Sequence, residues 1–310
     1  MLINTEKKYF YKAFGLKIIS EIHLPELTGV SEEGSVEVVI KMGNLSSKWN
    51  ALNEGQRKII VSGNIVMFQI PELATFCIQE GKSIIVSPIN GFDIDKIRLY
   101  ILGTCMGALL IQRRKLPLHG SSVAIDGKAY AFVGQSGVGK STLASAFIRK
   151  GYQLLSDDVI AISLSEGNIP MVEPSYPQQK LWEDSLNNFG METAHYRPLF
   201  ERETKYSVPL HSQYYNEPLP LAGVFELSKE DCKTIELKPI TGLDQFSTLL
   251  NQTFRSSLIE RMGLMEWHFY YSSHIIKHIK MFQLRRPITK FTANNMVSTV
   301  IDKLNEKGEI

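Results

Sequence analysis

Ala129-Tyr130-Ala131-Phe132-Val133-Gly134-Gln135-Ser136-Gly137-Val138-Gly139-Lys140-Ser141 is an apolar run that ends in a glycine-rich loop and a lysine. Residues 134–141 match G-x-x-x-x-G-K-[ST], placed after a strand-like segment and before a helix-like one, which is the context this loop requires. In such a loop the backbone N–H groups and the helix N-terminus point at phosphate oxygens. Lys140 then supplies a charge near the β and γ phosphates, and the Ser141 hydroxyl can ligate Mg²⁺. The match assigns Gly134, Gln135, Ser136, Gly137, Val138, Gly139, Lys140, Ser141 and the following Thr142 to nucleotide binding, with ATP and Mg²⁺ as the expected ligands. By chance it would arise in about one chain in a hundred of this length, so the correct flanks decide in its favour.

Working outward, Ser122-Val123-Ala124-Ile125, the turn pair Asp126-Gly127 and Ala129 to Val133 read as a hairpin feeding the loop. A helix is expected from Lys140 to about Lys150, with Gly151 just past its end. Leu154-Leu155 and Val159 to Ile162 read as strand, interrupted by Ser156-Asp157-Asp158. The acidic pair follows Lys140 by only 17 and 18 residues, one helix and one strand away. Many mechanical ATPases and GTPases carry their metal-ligating Asp later, and the chain has neither LSGGQ nor N-K-x-D, which disfavours both classes. Adjacent carboxylates beside a phosphate loop suit phosphoryl transfer: one orients or deprotonates a hydroxyl, the other holds the metal or its waters. The bland alternative is a solvated turn. His119, fifteen residues before Gly134, would be carried beside the loop by the hairpin, either as an active-site group or as a structural hydrogen-bonding one.

Upstream, short β-branched runs (Leu16 to Ile19, Val36 to Ile40, Ile59 to Val61, Ile84 to Val86) separated by turns indicate a β-rich amino-terminal module. A buried helix from about Asp93 to Arg114 follows, and Arg113-Arg114-Lys115-Leu116-Pro117 marks a boundary, giving domains 1–115 and 116–310. The module is a candidate for partner or peptide recognition. Downstream, Glu173 to Trp182 reads as loop, Leu221 to Leu227 as strand, and 244–261, 265–280 and 294–307 as helices.

The balance of 34 Lys plus Arg against 32 Asp plus Glu gives no global field for nucleic acid or an anionic membrane. The longest apolar run, Leu99 to Ile111, is too short to span a bilayer, and Met1 to Phe14 has no apolar signal region. Cys77, Cys105 and Cys232 form no CxxC pair, so neither a zinc site nor a disulfide framework is expected, and a cytoplasmic location is.

Taken together, Leu118-His119-Gly120, Gly134 to Ser141 and Leu155-Ser156-Asp157-Asp158 resemble, in order and spacing, the catalytic domain of the HPr serine kinase/phosphorylase family. That family is related in fold to ATP-dependent phosphoenolpyruvate carboxykinase and phosphorylates a serine on a small carrier protein. The resemblance implies an α/β fold, an α+β mixed-sheet P-loop kinase domain, here behind the β-rich module. It implies that Asp157 is the base, that Asp158, with Ser141, serves the metal, that His119 neighbours the base, and that Lys140 is catalytic. The family's Glu-Ile-Arg-Gly signature is missing; Pro174 to Trp182 occupies that region, which puts dephosphorylation and HPr recognition in doubt.

The opening Tyr11-Lys12-Ala13-Phe14-Gly15-Leu16, Leu24-Pro25-Glu26-Leu27, His119-Gly120-Ser121-Ser122, Tyr176-Pro177 with Lys180-Leu181-Trp182, and Leu284-Arg285-Arg286-Pro287 look like a divergent branch of lasso-peptide tailoring kinases. Such enzymes phosphorylate the C-terminal serine of a ribosomal precursor peptide. Lys180 and Arg286, and with less reason Lys205, Arg255 and Arg285, are candidates to clamp a peptide carboxylate or transferred phosphate, with Tyr176 and Trp182 lining a groove. The leading reading is therefore a Mg-ATP-dependent serine kinase acting on a precursor peptide, with homo-oligomerisation left open. The alternatives are an HPr-type protein or small-molecule kinase, and a nucleotide-sensing binding module.

Overall fold

The computed structural model describes residues 7–53, 58–89, 91–199 and 202–306. The extreme amino terminus and the end of the last predicted helix, Lys307, lie outside them. Two compact units emerge: 1–117 with 255–267, and 118–254 with 268–310. The sequence division at 115/116 leaves the 255–267 segment in the second domain.

The first unit is built on strands β1 (Tyr9–Ala13), β2 (Leu16–Ser20), β3 (Thr28–Gly29), β4 (Val38–Met42), β5 (Ile59–Ser62), β6 (Ile65–Ile70), β7 (Ala74–Gln79) and β8 (Ser83–Pro88). They form one sheet in the order β3-β1-β2-β4-β8-β7-β6-β5, parallel at β2–β4 and β4–β8. Helices α1 (Ser46–Leu52), α2 (Ile94–Tyr100) and α3 (Met106–Gln112) accompany it. Asp93 caps α2 by accepting from the N–H groups of Asp95 and Lys96. The helix expected over 93–114 is interrupted by a π-helical turn at Ile101–Cys105, around Gly103.

The second unit opens with β9 (Leu116–Ile125) and β10 (Lys128–Gly134), joined by Asp126 and Gly127, both at positive φ, as a two-residue hairpin turn demands. Helix α4 (Lys140–Arg149) follows the glycine-rich loop, and Gly151 at φ 96° ends it as the sequence indicates. Next come β11 (Gln153–Leu164), β12 (Pro170–Glu173), β13 (Gln178–Trp182), α5 (Glu183–Asn188), β14 (Arg197–Leu199), β15 (Arg202–Pro209), β16 (Leu219–Glu230) and β17 (Glu236–Pro239). The chain closes with α6 (Leu243–Gln252), α7 (Ser257–Arg261), α8 (Met265–His278), β18 (Lys280–Pro287) and α9 (Ala293–Asn305).

Seven strands form a mixed sheet, β10-β9-β11-β12-β16-β18-β17, and a further β10–β16 pairing closes five of them into a ring. β10, β16 and β18 are parallel, so their carboxyl ends face the same way. Phe132, Phe147, Phe225 and Phe282 are buried at the centre, with Phe132 stacked on Phe147 at 5.1 Å and Phe225 on Phe282 at 5.4 Å. Leu143 from α4 and Val297 and Val300 from α9 seal the same core.

Several expectations are corrected. The acidic pair does not interrupt a strand: β11 runs through it, and the backbone irregularity is confined to Asp158 at φ 73°. Glu173 to Trp182 is not loop throughout, because residues 178–182 pair with β15. The helix expected over 244–261 breaks at Thr253, whose hydroxyl turns back onto the Leu249 carbonyl.

Gly134 is fixed by contact as well as by conformation. Its φ is 138°, and a Cβ there would meet the Leu227 carbonyl oxygen of β16 at 2.6 Å. Gly134→Ala is expected to lower unfolding stability by about 2–4 kcal/mol through strain and clash, measured as a fall in the urea midpoint.

Candidate active site

The β9–β10 register sets Val133 opposite Gly120, so His119 arrives level with the start of the glycine-rich loop. Gly120 permits this: a Cβ there would lie 2.3 Å from the Phe132 carbonyl oxygen. Gln135, Ser136 and Gly137 are exposed at the loop tip, and Gly137 and Gly139 both have positive φ. Helix α4 begins without a side-chain cap. Lys140 is buried, and its ammonium donates to the Gly134 and Gln135 carbonyls at 2.8 and 2.9 Å. Burial pushes it down to about 8, against the opposing pull of Asp157 and Asp158.

Asp157 is 3% exposed, and each of its oxygens accepts one hydrogen bond: Oδ1 from the Ser121 hydroxyl at 2.6 Å, Oδ2 from the Lys180 N–H at 2.8 Å. A carboxylate has about four lone-pair directions, so two remain open. Asp158 Oδ2 pairs with the Lys180 ammonium at 2.8 Å. Burial would raise Asp158, but the charge and hydrogen bond of Lys180, helped by Lys205 and His119, hold it well below the usual carboxylate range. Lys180 is correspondingly raised, with Asp158 outweighing the effect of burial.

His119 Nδ1 lies 3.0 Å from the Asp158 carbonyl oxygen. A carbonyl only accepts, so this contact puts the proton of a neutral ring on Nδ1 and the lone pair on Nε2. Burial and the Lys140 charge lower His119, so the ring is neutral near pH 7. Phe254 lies against it at 5.8 Å between ring centres.

The second unit thus brings His119, Lys140, Asp157, Asp158 and Lys180 into one cluster. Arg286 reaches the other side of the loop, donating from Nε to the Val138 carbonyl at 3.0 Å. The Thr142 hydroxyl is engaged with Ser185 at 2.7 Å. Lys205 lies over the Trp182 ring at 5.4 Å, and Tyr176 is buried instead of lining an open groove. Arg255 is set in the first unit, bonded to Thr104, and Arg285 pairs with Glu230.

Three participants carried no role in the sequence reading. Ser121 lay inside the His119 patch with no chemical signal of its own. Gln179 is fully buried, and its amide nitrogen donates to the Ser141 carbonyl at 2.8 Å. Lys229 stands beside Arg286 on the neighbouring strand.

The donor set suits a metal-bound polyphosphate. Gly134, Gly137 and Gly139 all have positive φ, and the Lys140 ammonium lies against the loop's own Gly134 and Gln135 carbonyls. Among the described residues no group of three His, Cys, Asp or Glu could hold a metal alone. Ser141 and Asp158 Oδ1, which lies 3.7 Å from His119 Nδ1, are hard donors of the kind that bind Mg²⁺ together with phosphate oxygens.

No family model matches the chain. Over 70 residues it is 37% identical to the HPr kinase/phosphorylase of Mycoplasmopsis pulmonis, a stretch that is 22% of this chain and 23% of that protein. Over 103 residues it is 31% identical to the HPr kinase/phosphorylase of Paraburkholderia phytofirmans, 33% of this chain and 29% of that one. The chain therefore has HPr kinase/phosphorylase homologues at modest identity, and it matches less than a third of the length of these relatives. A solved HPr(Ser) kinase/phosphatase from Coxiella burnetii aligns over 62% of this chain and 91% of its own, at 16% identity and a TM-score of 0.35. Among the described residues no helix is long and apolar enough to cross a membrane.

A lysine lowered to about 8 regains its proton when a polyanion arrives. Nucleotide binding at pH 8 to 9 is expected to take up a proton, most of it at the alkaline end of that range. Calorimetry in two buffers of different ionisation enthalpy checks this, and Lys140→Met should abolish the uptake.

Proposed function

We propose that this protein is a Mg-ATP-dependent kinase that phosphorylates a serine hydroxyl. The observation that carries the reading is the pair of a buried Asp157 and a half-buried Asp158, held by Ser121 and Lys180 beside Lys140 and His119. Such an arrangement serves little purpose in a solvated turn. In a kinase it keeps one carboxylate with open lone pairs next to the transferable phosphate.

In this scheme the acceptor oxygen forms its bond to the γ-phosphorus as the bond from that phosphorus to the bridging oxygen of ADP breaks. The hydroxyl proton passes to Asp157 late, when the transition state is already loose, so the acceptor need not be unusually acidic. Ser121 and the Lys180 N–H orient Asp157, each donating to one of its oxygens. Lys180 keeps Asp158 ionised, and Asp158 with Ser141 would hold Mg²⁺. The ion would supply positive charge that stabilises the transferring phosphoryl group. His119, neutral and tethered to the Asp158 carbonyl, lines the acceptor side of the base.

For the acceptor we favour the C-terminal serine of a ribosomal precursor peptide of the lasso type. The support is the family resemblance along the chain, together with the segment 174–182, which replaces the phosphorylase signature and, as β13, delivers Lys180 to the carboxylates. A second reading, an HPr-like carrier protein as acceptor, is favoured by the names of the homologues.

Asp157→Asn is expected to cut transfer about 10²–10⁴-fold while nucleotide affinity changes little. Labelled ATP with a candidate precursor peptide and with HPr, assayed side by side, tests the acceptor. Transfer to HPr and not to peptide would reverse the preference. Full turnover by the Asp157→Asn protein would sink the kinase mechanism itself.

A further inference from the structure

The two flanks of the glycine-rich loop carry different chemistry. On the β9 and β11 side stand His119, Ser121, Asp157 and Asp158. On the other side β10 pairs with β16, and β16 with β18, all parallel, with β16 and β18 running three residues past the end of β10. Near those carboxyl ends Lys229 and Arg286 are register partners, two cations side by side on adjacent strands.

Like charges in that relation repel. Burial lowers Arg286, while partial desolvation and the Arg286 charge lower the largely exposed Lys229. The nearby carboxylates are committed elsewhere: Glu230 to Arg285 and Ser228, Glu226 to Gln252 and Thr248. Among the described residues neither Lys229 nor Arg286 forms an ion pair.

Arg286 is nonetheless held in place. Nε donates to the Val138 carbonyl at 3.0 Å and Nη1 to the Pro287 carbonyl at 3.3 Å. Nη2 lies 3.4 Å from where a Cβ of Gly139 would stand, against the first turn of α4. Gly139 is the residue whose missing side chain leaves this approach open. A guanidinium already fixed in this way loses little rotamer freedom when it meets an anion, and its charge-assisted hydrogen bonds are strong.

We propose that Arg286 and Lys229 form an anion subsite for the nucleoside end of the bound nucleotide, holding its α-phosphate. The proposal rests on the nucleotide-binding reading of the loop. A polyphosphate lying along that loop must point its transferable end at the flank with the carboxylates. Its nucleoside end then leaves over the flank with the two cations, in line with ligand binding at the carboxyl ends of parallel strands. Arg286 on this view serves the nucleotide and not the acceptor peptide.

Affinities of the full chain for MgATP, MgADP and magnesium pyrophosphate test this, in wild type, Arg286→Gln and Lys229→Gln. ATP and ADP both contain the α-phosphate, whereas pyrophosphate can be held by the loop and Lys140 alone. Arg286→Gln is expected to weaken ATP and ADP equally, by about tenfold or more, and pyrophosphate less than twofold. The exposed Lys229, which among the described residues forms no hydrogen bond to the loop, should give the same pattern at about threefold, so a loop disturbed by loss of the Val138 contact cannot mimic it. Equal loss of pyrophosphate binding in both variants overturns the proposal in favour of a loop-bracing role. A larger loss for ATP than for ADP overturns it in favour of a γ-phosphate or acceptor clamp. Unchanged nucleotide affinity in both variants overturns it alone, whereas a wild-type chain that binds none of the three ligands overturns the loop reading beneath it.

Discussion

One lysine makes the acidic pair tolerable. Two adjacent carboxylates in the second unit would repel each other, and Lys180 answers both: its backbone N–H donates to Asp157 and its ammonium to Asp158. At a separation near 4 Å, opposite charges attract by about 4 kcal/mol in a surface-like dielectric of about 20, and more strongly where water is excluded. The contact also has a structural consequence. It ties β13 to β11, and through Gln179 and the Ser141 carbonyl it ties β13 to the first turn of α4. The small sheet β13-β15-β14 is thereby joined to the helix that follows the glycine-rich loop through Gln179, the neighbour of Lys180.

The asymmetry between the two aspartates follows. Asp158 is charged, ion-paired and well below its ordinary range, so it is a poor proton acceptor and a good ligand for a hard cation. Asp157 takes its two hydrogen bonds from a hydroxyl and a peptide N–H, neither of them charged, and retains open lone pairs. The difference in partners distinguishes two residues that the bare sequence Asp157-Asp158 leaves alike. The left-handed backbone at Asp158 belongs to the same arrangement, because neighbours in a strand normally face opposite ways and this kink lets both carboxylates reach Lys180.

What could be read from the sequence was local. The Asp126-Gly127 turn, the glycine pattern of the loop and Gly151 after α4 each encode a backbone conformation that few other residues adopt, and each appears where expected. The hairpin then carried His119 to the loop by register alone. β13 was missed because Gln178-Gln179-Lys180-Leu181-Trp182 does not alternate as a half-buried strand should: Gln179 and Lys180 are buried for the sake of Ser141 and the carboxylates. The break after α6 was hidden for a similar reason. Thr253 forms a bridge with Leu118, the residue before His119, and also bonds the buried His268, so a non-local pairing overrides a helical pattern.

Lys229 and Arg286 were legible as charges but not as neighbours. They are 57 residues apart in sequence, and only the parallel pairing of β16 with β18 sets them side by side. A parallel crossover cannot be inferred from short-range pattern, since its partners are separated by whole helices. The cost of placing like charges together is an observation about the fold, and the acidic flank across β10 supplies the other half of the argument. A polyphosphate is anionic along its whole length but reactive only at one end, so a site built for it needs cations throughout and carboxylates only where the proton leaves. The distribution of charge about this loop has that form: Lys140 at the centre, Asp157 and Asp158 on one flank under the control of Lys180, and Arg286 with Lys229 on the other.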